Sequence, residues 1–309
     1  MGADGPVSGI WSPTLTPLGD DGAIDVARLA AHVRWQLEGG CHGVVLFGTT
    51  GEGPSFTAAE RMQALEGLLA QGVDARRLVV GTGCCALPDT VTLTRHALAC
   101  GCRAVLVLPP FYFKDVSAEG LRAAFAQVVE AVGDARLRML LYHFPRLSGV
   151  PIPPAVLGRL AADFPGVVCG VKDSSGDPDS LHAFLGAGEG LCVLPGTEAL
   201  LLAGLRAGAA GCISAGANVN PGGLRAVWAA WQAGDEAAAE AAQAAAGAVR
   251  AALAGAPMIP GLKALTARRT ADAAWLAVRP PLRPLDPEAA ARLAAAVAAV
   301  RPGGGGPAR

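Results

Sequence analysis

Lysine is nearly absent from this 309-residue chain: of 25 basic residues only Lys114, Lys172 and Lys263 are lysine, and the rest are arginine. A chain that uses arginine for its solvated cations yet keeps Lys172 in the apolar run Val167-Val168-Cys169-Gly170-Val171-Lys172 invites a chemical explanation. Arginine stays protonated, whereas a desolvated lysine can release its proton and attack a carbonyl. A lysine that snorkels from a strand end, or pairs with Asp173, fits the same segment, and the segment alone does not choose. Other absences exclude whole classes. No run of about 18 apolar residues is free of charges and Gly/Pro breaks, so no membrane span is expected. With a net charge of −1 and no basic block, nucleic acid and anionic membranes are unsuitable main partners. Met1–Pro6 lacks a basic stretch followed by an apolar one, so no signal peptide is expected, and Pro6 stands where a myristoylation signal needs Ser or Thr. The eight cysteines form no paired CxxC units, which reads as small reduced core residues and a cytoplasmic setting. His32, His96 and His182 fall on helical segments and His42 at the start of a strand, none with metal-ligand spacing. No GxSxG elbow is present.

What is present is an alternation. Eight β-like runs read as Gly9–Thr14, Gly43–Phe47, Leu78–Gly81, Ala104–Leu108, Met139–His143, Val167–Lys172, Leu191–Leu194 and Gly211–Ser214. Most are continuously apolar, as parallel strands covered on both faces should be. Between them lie amphipathic helices with legible starts: Asp25, the Thr57/Glu60 capping box, Ser117, and the Asp177-Pro178 and Asn220-Pro221 pairs. Eight β/α units favour an α/β fold of the closed (β/α)8 TIM-barrel type over an open doubly wound sheet. Gly81-Thr82-Gly83-Cys84-Cys85-Ala86 imitates a dinucleotide fingerprint, but it follows the third strand rather than the first. The barrel is placed at 1–230 and a C-terminal helical extension at 231–300, with helices near Glu236–Ala254, Ile259–Ala274 and Pro287–Val300. The Gly-rich tail, 301–309, is expected to be disordered.

In such a barrel the active site lies at the carboxyl ends of the strands. Lys172 ends the sixth strand. After the second comes Gly48-Thr49-Thr50-Gly51-Glu52-Gly53, whose hydroxyls and backbone N–H groups suit a small carboxylate, although a plain strand-to-helix turn is the simpler account of it. The chain has only two tyrosines, and Tyr112 and Tyr142 both fall at that same end, after strands four and five. Phenylalanine, used eight times, would fill space there without a hydroxyl to satisfy. His143, next to Tyr142 on a strand, should point the other way, toward the helices. Lys114 reads as a loop charge and Lys263 as a residue on a helix face, with a substrate role left open.

The motifs Gly48-Thr49-Thr50-Gly51-Glu52, Tyr142-x-x-Pro145 with Ser148-Gly149, and Gly170-Val171-Lys172-Asp173-Ser174-Ser175-Gly176-Asp177 occur here in one order on the expected strands. In these the chain resembles the dihydrodipicolinate synthase/N-acetylneuraminate lyase family of Schiff-base class I aldolases, from Trp11 to about residue 225. The resemblance implies that Lys172 forms an imine with pyruvate or another 2-oxo acid. It implies that Thr49 and Thr50, with Gly51, bind the carboxylate, and that Thr49 also relays protons. Tyr142 would be the general acid/base, the backbone carbonyl of Ile213 would face the site, and Tyr112 would reach the site of a neighbouring subunit. Synthases of the family carry an arginine two residues after the proline to hold the aldehyde's carboxylate; here that position is Leu147. Arg146, one place earlier, should face elsewhere if strand-like geometry persists. Thr49-Thr50 follows the synthase pattern, while Pro145-Arg146-Leu147-Ser148-Gly149 is closer to the sialic-acid lyases. Cys85 stands where lysine-inhibited synthases use asparagine, which implies no feedback inhibition by lysine.

The resulting expectation is a lyase or aldolase that joins pyruvate to an aldehyde, or cleaves the corresponding 2-keto-3-deoxy acid, with 4-hydroxy-tetrahydrodipicolinate synthase as runner-up. A non-catalytic 2-oxo-acid-binding barrel and a phosphate-handling isomerase rank lower. Neither a metal nor an organic cofactor is expected, and the partners are small molecules plus further copies of the chain, in a homodimer or homotetramer.

Overall fold

The computed structural model describes residues 7–300. The eight apolar runs form strands β1 (Gly9–Pro13), β2 (Gly43–Leu46), β3 (Leu78–Gly81), β4 (Ala104–Val107), β5 (Met139–His143), β6 (Val168–Asp173), β7 (Cys192–Pro195) and β8 (Gly211–Ile213). Each lies within a residue or two of its expected bounds. All pair in parallel in the order β7-β6-β5-β4-β3-β2-β1-β8. The seam between β7 and β8 is bridged by Ala210 N–H donating to Val193 O at 3.0 Å. The sheet therefore curls into a barrel, and the open-sheet alternative falls.

Strand alternation separates two cores. Val44, Leu46, Met139, Leu141, Val171 and Val193 face out against the helices. Trp11, Val45, Val79, Leu140, Leu194 and Ile213 fill the barrel.

The helices are α1 (Val26–Glu38), α2 (Ala58–Ala70), α3 (Leu87–Ala99), α4 (Ala118–Val132), α5 (Pro145–Ser148), α6 (Pro154–Asp163), α7 (Pro178–Leu185), α8 (Leu201–Arg206), α9 (Pro221–Gln232), α10 (Glu236–Leu253), α11 (Met258–Thr270) and α12 (Pro287–Val300). Asp25, Ser117 and Asp177 cap α1, α4 and α7 through their side chains, and Thr57/Glu60 makes the full capping box on α2. Such caps contribute about 1 kcal/mol each. Asn220 is the exception: its side chain caps nothing, and α9 starts on the Pro221 ring instead. The expected helix Ile259–Ala274 stops at Thr270, where Ala271 turns left-handed (φ 52°), and a 3-10 turn, Ala273–Leu276, follows. The tail, 301–309, lies outside the described residues. Among those described, no single helix is long and apolar enough to cross a membrane.

The helical layer depends on buried polar groups that the sequence does not advertise. His32 of α1 is 2% exposed, with Nε2 3.1 Å from Asn218 Oδ1, and Gln36 Nε2 donates to Asn218 Oδ1 at 2.8 Å. Asn218 Nδ2 in turn donates to Pro13 O, which ties α1 to β1 and to the turn after β8. Burial holds the His32 pKa down at about 3, against 6.5 in water. Because the unfolded chain binds this proton first, stability is fully present above pH 6.5 and is lost as pH falls toward 3. At pH 4.5 the loss from His32 is about 2–3 kcal/mol at 1.36 kcal/mol per unit. Urea denaturation at pH 7 and 4.5 should show this loss in the parent and a smaller one in His32→Gln; equal acid sensitivity in both would remove His32 from the account.

Candidate active site

Lys172 reaches the barrel interior because β6 breaks register. Met139 of β5 pairs with Val168, but Leu140 pairs with Gly170, so Cys169 is an extra residue in the ladder. In an unbroken strand, strict alternation from outward-facing Val168 would send Lys172 outward as well. The bulge shifts the phase: Cys169 faces in, Val171 faces out and Lys172 faces in. Gly170 is obligatory at this step, since a Cβ there would lie 2.0 Å from Cys192 O on β7. The Lys172 side chain is 3% exposed and its Nζ donates to Tyr142 Oη at 3.3 Å. Nζ also sits 4.4 Å from the Tyr142 ring centre. Tyr142 Oη is 3.2 Å from Thr49 Oγ1. Strands β5 and β6 and the loop after β2 thus converge on a chain of three polar groups, amine–phenol–hydroxyl.

The loop that carries Thr49 is held in a costly shape. Phe47 (φ 54°) and Glu52 (φ 55°) both adopt the left-handed conformation, at about 1–3 kcal/mol each. Gly53 folds over them so closely that a Cβ would lie 1.9 Å from Phe47 O. Three anchors hold the turn. Thr16 Oγ1 donates to Gly51 O at 2.7 Å. Arg279 donates its backbone N–H to Glu52 Oε2 at 3.0 Å and its guanidinium to Ser55 O at 2.8 Å. Lys263, from α11, sits fully buried with Nζ 2.5 Å from Glu52 Oε1 and also donates to Ala277 O. Burial lowers the Lys263 pKa, and the Glu52 carboxylate opposes that fall. The expectation for Lys263 is corrected: it lies on a helix, but it is the buried counter-ion of the Thr49–Thr50 loop. The scarcity of lysine that singled out Lys172 was an equal signal for Lys263, and the chain offered no apolar strand to make it visible.

Above Lys172 opens a cavity of about 540 Å³, a size that suits a small substrate. Its walls include Thr49, Thr50, Tyr142, Lys172, Leu147 and Arg250. Residues from α11, Met258 to Pro260, also line it, so the C-terminal helices complete the site rather than merely pack behind it.

The profile of the Dihydrodipicolinate synthetase family matches residues 6–300. The chain belongs to that family. An uncharacterized DapA-like lyase of Chloroflexus aurantiacus is 39% identical over 289 residues, 93% of this chain and 95% of that protein. The dihydrodipicolinate synthase of Agrobacterium tumefaciens superposes with a TM-score of 0.87 at 34% identity, covering 95% of this chain and 99% of that one. YagE of Escherichia coli K12, a prophage protein of the same family solved with pyruvate, gives 0.86 at 26% identity over 95% of this chain and 98% of its own. Family membership makes the protein a lyase with a (β/α)8 barrel.

Within this family frame, the structure brings together Lys172, Tyr142, Thr49 and Thr50, and places Ile213 buried inside the barrel on β8. Gly51 supports the loop through its carbonyl rather than lining the cavity. Leu147 lies at the rim, 59% exposed. The strand-like geometry expected after Pro145 is corrected. Proline at the first position and left-handed Gly149 (φ 64°) at the end make residues 145–148 one helical turn, α5. Arg146 and Leu147 consequently both line the cavity. His143 faces the helices as expected, with Nδ1 accepting from Ile152 N–H and its ring packed on Phe184; burial lowers its pKa, which the Asp173 carboxylate partly offsets. Lys114 is more than a loop charge: Nζ donates to Ser148 O at 2.7 Å and to Phe111 O, which braces α5 against the loop after β4. Tyr112 does not line the cavity of its own chain and is 76% exposed, edge-on to Phe113.

Proposed function

We propose that the protein is a pyruvate-dependent aldolase or lyase in which Lys172 is the Schiff-base nucleophile. The observation that carries this reading is the buried Lys172–Tyr142–Thr49 chain at the floor of the cavity. Neutral Lys172 adds to the keto carbon of pyruvate, and loss of water leaves an iminium that acidifies the neighbouring methyl group. Tyr142, within hydrogen-bond reach of the amine, moves the protons of carbinolamine collapse and aldol addition, and Thr49 passes them on. Thr50 and the backbone N–H groups of the same loop take the pyruvate carboxylate. Every protein group this chemistry needs comes from the chain, with no cofactor in the scheme.

For the second substrate, Leu147 at the rim favours cleavage or synthesis of 2-keto-3-deoxy acids over 4-hydroxy-tetrahydrodipicolinate synthesis. The synthase is the competing reading, supported by the likeness to the Agrobacterium enzyme over nearly its whole length. Tyr112, Phe113 and Val116 form an exposed apolar face next to α5, and we assign it to contact with a second copy that shares Tyr112 with the site, in a homodimer or homotetramer. Five buried cysteines used as small core residues support a cytoplasmic setting. The test is direct. Incubation with pyruvate and borohydride, then peptide mass spectrometry, should give a reduced pyruvate adduct on Lys172. An unmodified Lys172 under conditions that trap other imines would sink the mechanism and favour a barrel that merely binds 2-oxo acids.

A further inference from the structure

Two cations besides Lys172 line the cavity, Arg146 on α5 and Arg250 on α10, and no aspartate, glutamate or histidine joins them. Arg250 is half-buried. Among the described residues its guanidinium pairs with no carboxylate, and Nη1 lies 3.6 Å from Met258 Sδ, a weak acceptor. On β8, burial and then the Glu198 carboxylate push the Cys212 thiol up, and the charges of Lys172 and Arg250 oppose that rise. Arg146 leans over the Phe144 ring, 5.8 Å from its centre, near the rim. Much of the remaining wall is apolar, with Leu147, Leu200, Ile259 and Leu282.

An arginine fork turned into a substrate cavity without a protein carboxylate calls for an anion from the ligand. In the Schiff-base reading the pyruvate carboxylate is taken by the Thr49–Thr50 loop, so Arg250 is left for a second one. We propose that Arg250, with Arg146 at the rim, binds a terminal anionic group of the second substrate and selects an amino-free anionic aldehyde. An ammonium group beside the aldehyde would meet two arginines and no protein carboxylate, while a neutral polyol would leave Arg250 unpaired against apolar walls. This assignment rests on the Schiff-base reading and adds the class of aldehyde to it. In the step itself the enamine carbon bonds to the aldehyde carbon and the aldehyde oxygen takes a proton from Tyr142. Water then releases a 4-hydroxy-2-oxo acid with an anion at each end and returns the Lys172 amine.

The experiment compares four aldehydes with pyruvate: succinate semialdehyde, glyceraldehyde 3-phosphate, neutral glyceraldehyde and aspartate semialdehyde. One or both amino-free anions should give the highest kcat/KM, and the better of the two identifies the group as carboxylate or phosphate. Arg250→Gln should raise KM for that substrate about 10- to 100-fold, the loss of a charge-assisted pair, without a matching rise for glyceraldehyde. Arg250→Lys should restore part of the loss through charge alone. A preference for glyceraldehyde or aspartate semialdehyde, or a KM rise in Arg250→Gln that is equal for charged and neutral aldehydes, overturns the assignment. Borohydride trapping with pyruvate alone reads the imine separately. A parent protein that traps pyruvate yet lacks the preference loses only Arg250's role; one that does not trap pyruvate loses the Schiff-base reading and this assignment with it.

Discussion

Lys172→Arg should lower kcat/KM for aldol turnover by on the order of 10⁴-fold or more, the scale seen when a covalent nucleophile is removed. Arginine keeps the positive charge and most of the reach of lysine, but it does not lose its proton and so offers no nucleophilic nitrogen. The site is tight: Lys172 is 3% exposed and packs against Tyr142. A bulkier guanidinium risks displacing its neighbours, so Lys172→Met, of similar volume, provides the second arm. Both variants should lose turnover and the borohydride adduct together while keeping the parent's circular dichroism. Turnover in Lys172→Met within about tenfold of the parent would assign Lys172 to binding only, because loss of a binding contact costs far less than loss of a nucleophile.

Glu52→Gln is the second large effect, and it acts on the fold of the site. Lys263 and Glu52 have fully buried side chains in contact at 2.5 Å, and removal of one partner leaves the other charge uncompensated. Such a loss costs about 3–5 kcal/mol. Lys263 already has a pKa below that of lysine in water because of burial, and Glu52 is what opposes the fall. Between the folded and unfolded pKa values the unfolded chain binds more protons, so stability rises with pH through that window. In Glu52→Gln the folded pKa drops further and the window opens at lower pH. Its deficit against the parent should therefore shrink between pH 7 and pH 9.5. Replacing both residues, Glu52→Gln with Lys263→Met, should recover much of the loss. Guanidinium denaturation at the two pH values measures this. A deficit below about 1 kcal/mol, the level of a surface pair, would show that the pair does not clamp the loop. The clamp also predicts weaker pyruvate binding in the single variant, since Thr49 and Thr50 ride on the same turn.

The architecture was legible because its signals are local. Continuous apolar runs separated by capped amphipathic segments leave few alternatives to a parallel α/β barrel, and the residue types at the strand ends named Lys172, Tyr142 and the Thr49–Thr50 loop. Elsewhere a change of local geometry or a distant partner overrides the sequence pattern. Arg146 was expected to turn away on the premise of an extended chain, but Pro145 and Gly149 convert that stretch into a helical turn. Asn220 looked like a cap, yet its side chain makes no capping bond. Lys263 has the pattern of a helix-face residue, because nothing in α11 discloses a glutamate more than 200 positions earlier.

Lys172 shows the division most clearly. By itself the sequence determined that a scarce lysine ends the sixth apolar run, and that a barrel would bring that end near the loops after β2 and β5. It did not determine which way the side chain points. Side-chain direction in a strand is set by pairing, and the extra residue Cys169 exists only relative to β5. The tertiary structure decided it, through a bulge that turns Lys172 inward and a Gly170 that lets β7 approach. The same holds for Arg250 and Glu52: their chemistry is fixed by residue type, but whether a charge meets solvent, a counter-ion or an open cavity depends on which distant segments fold against it.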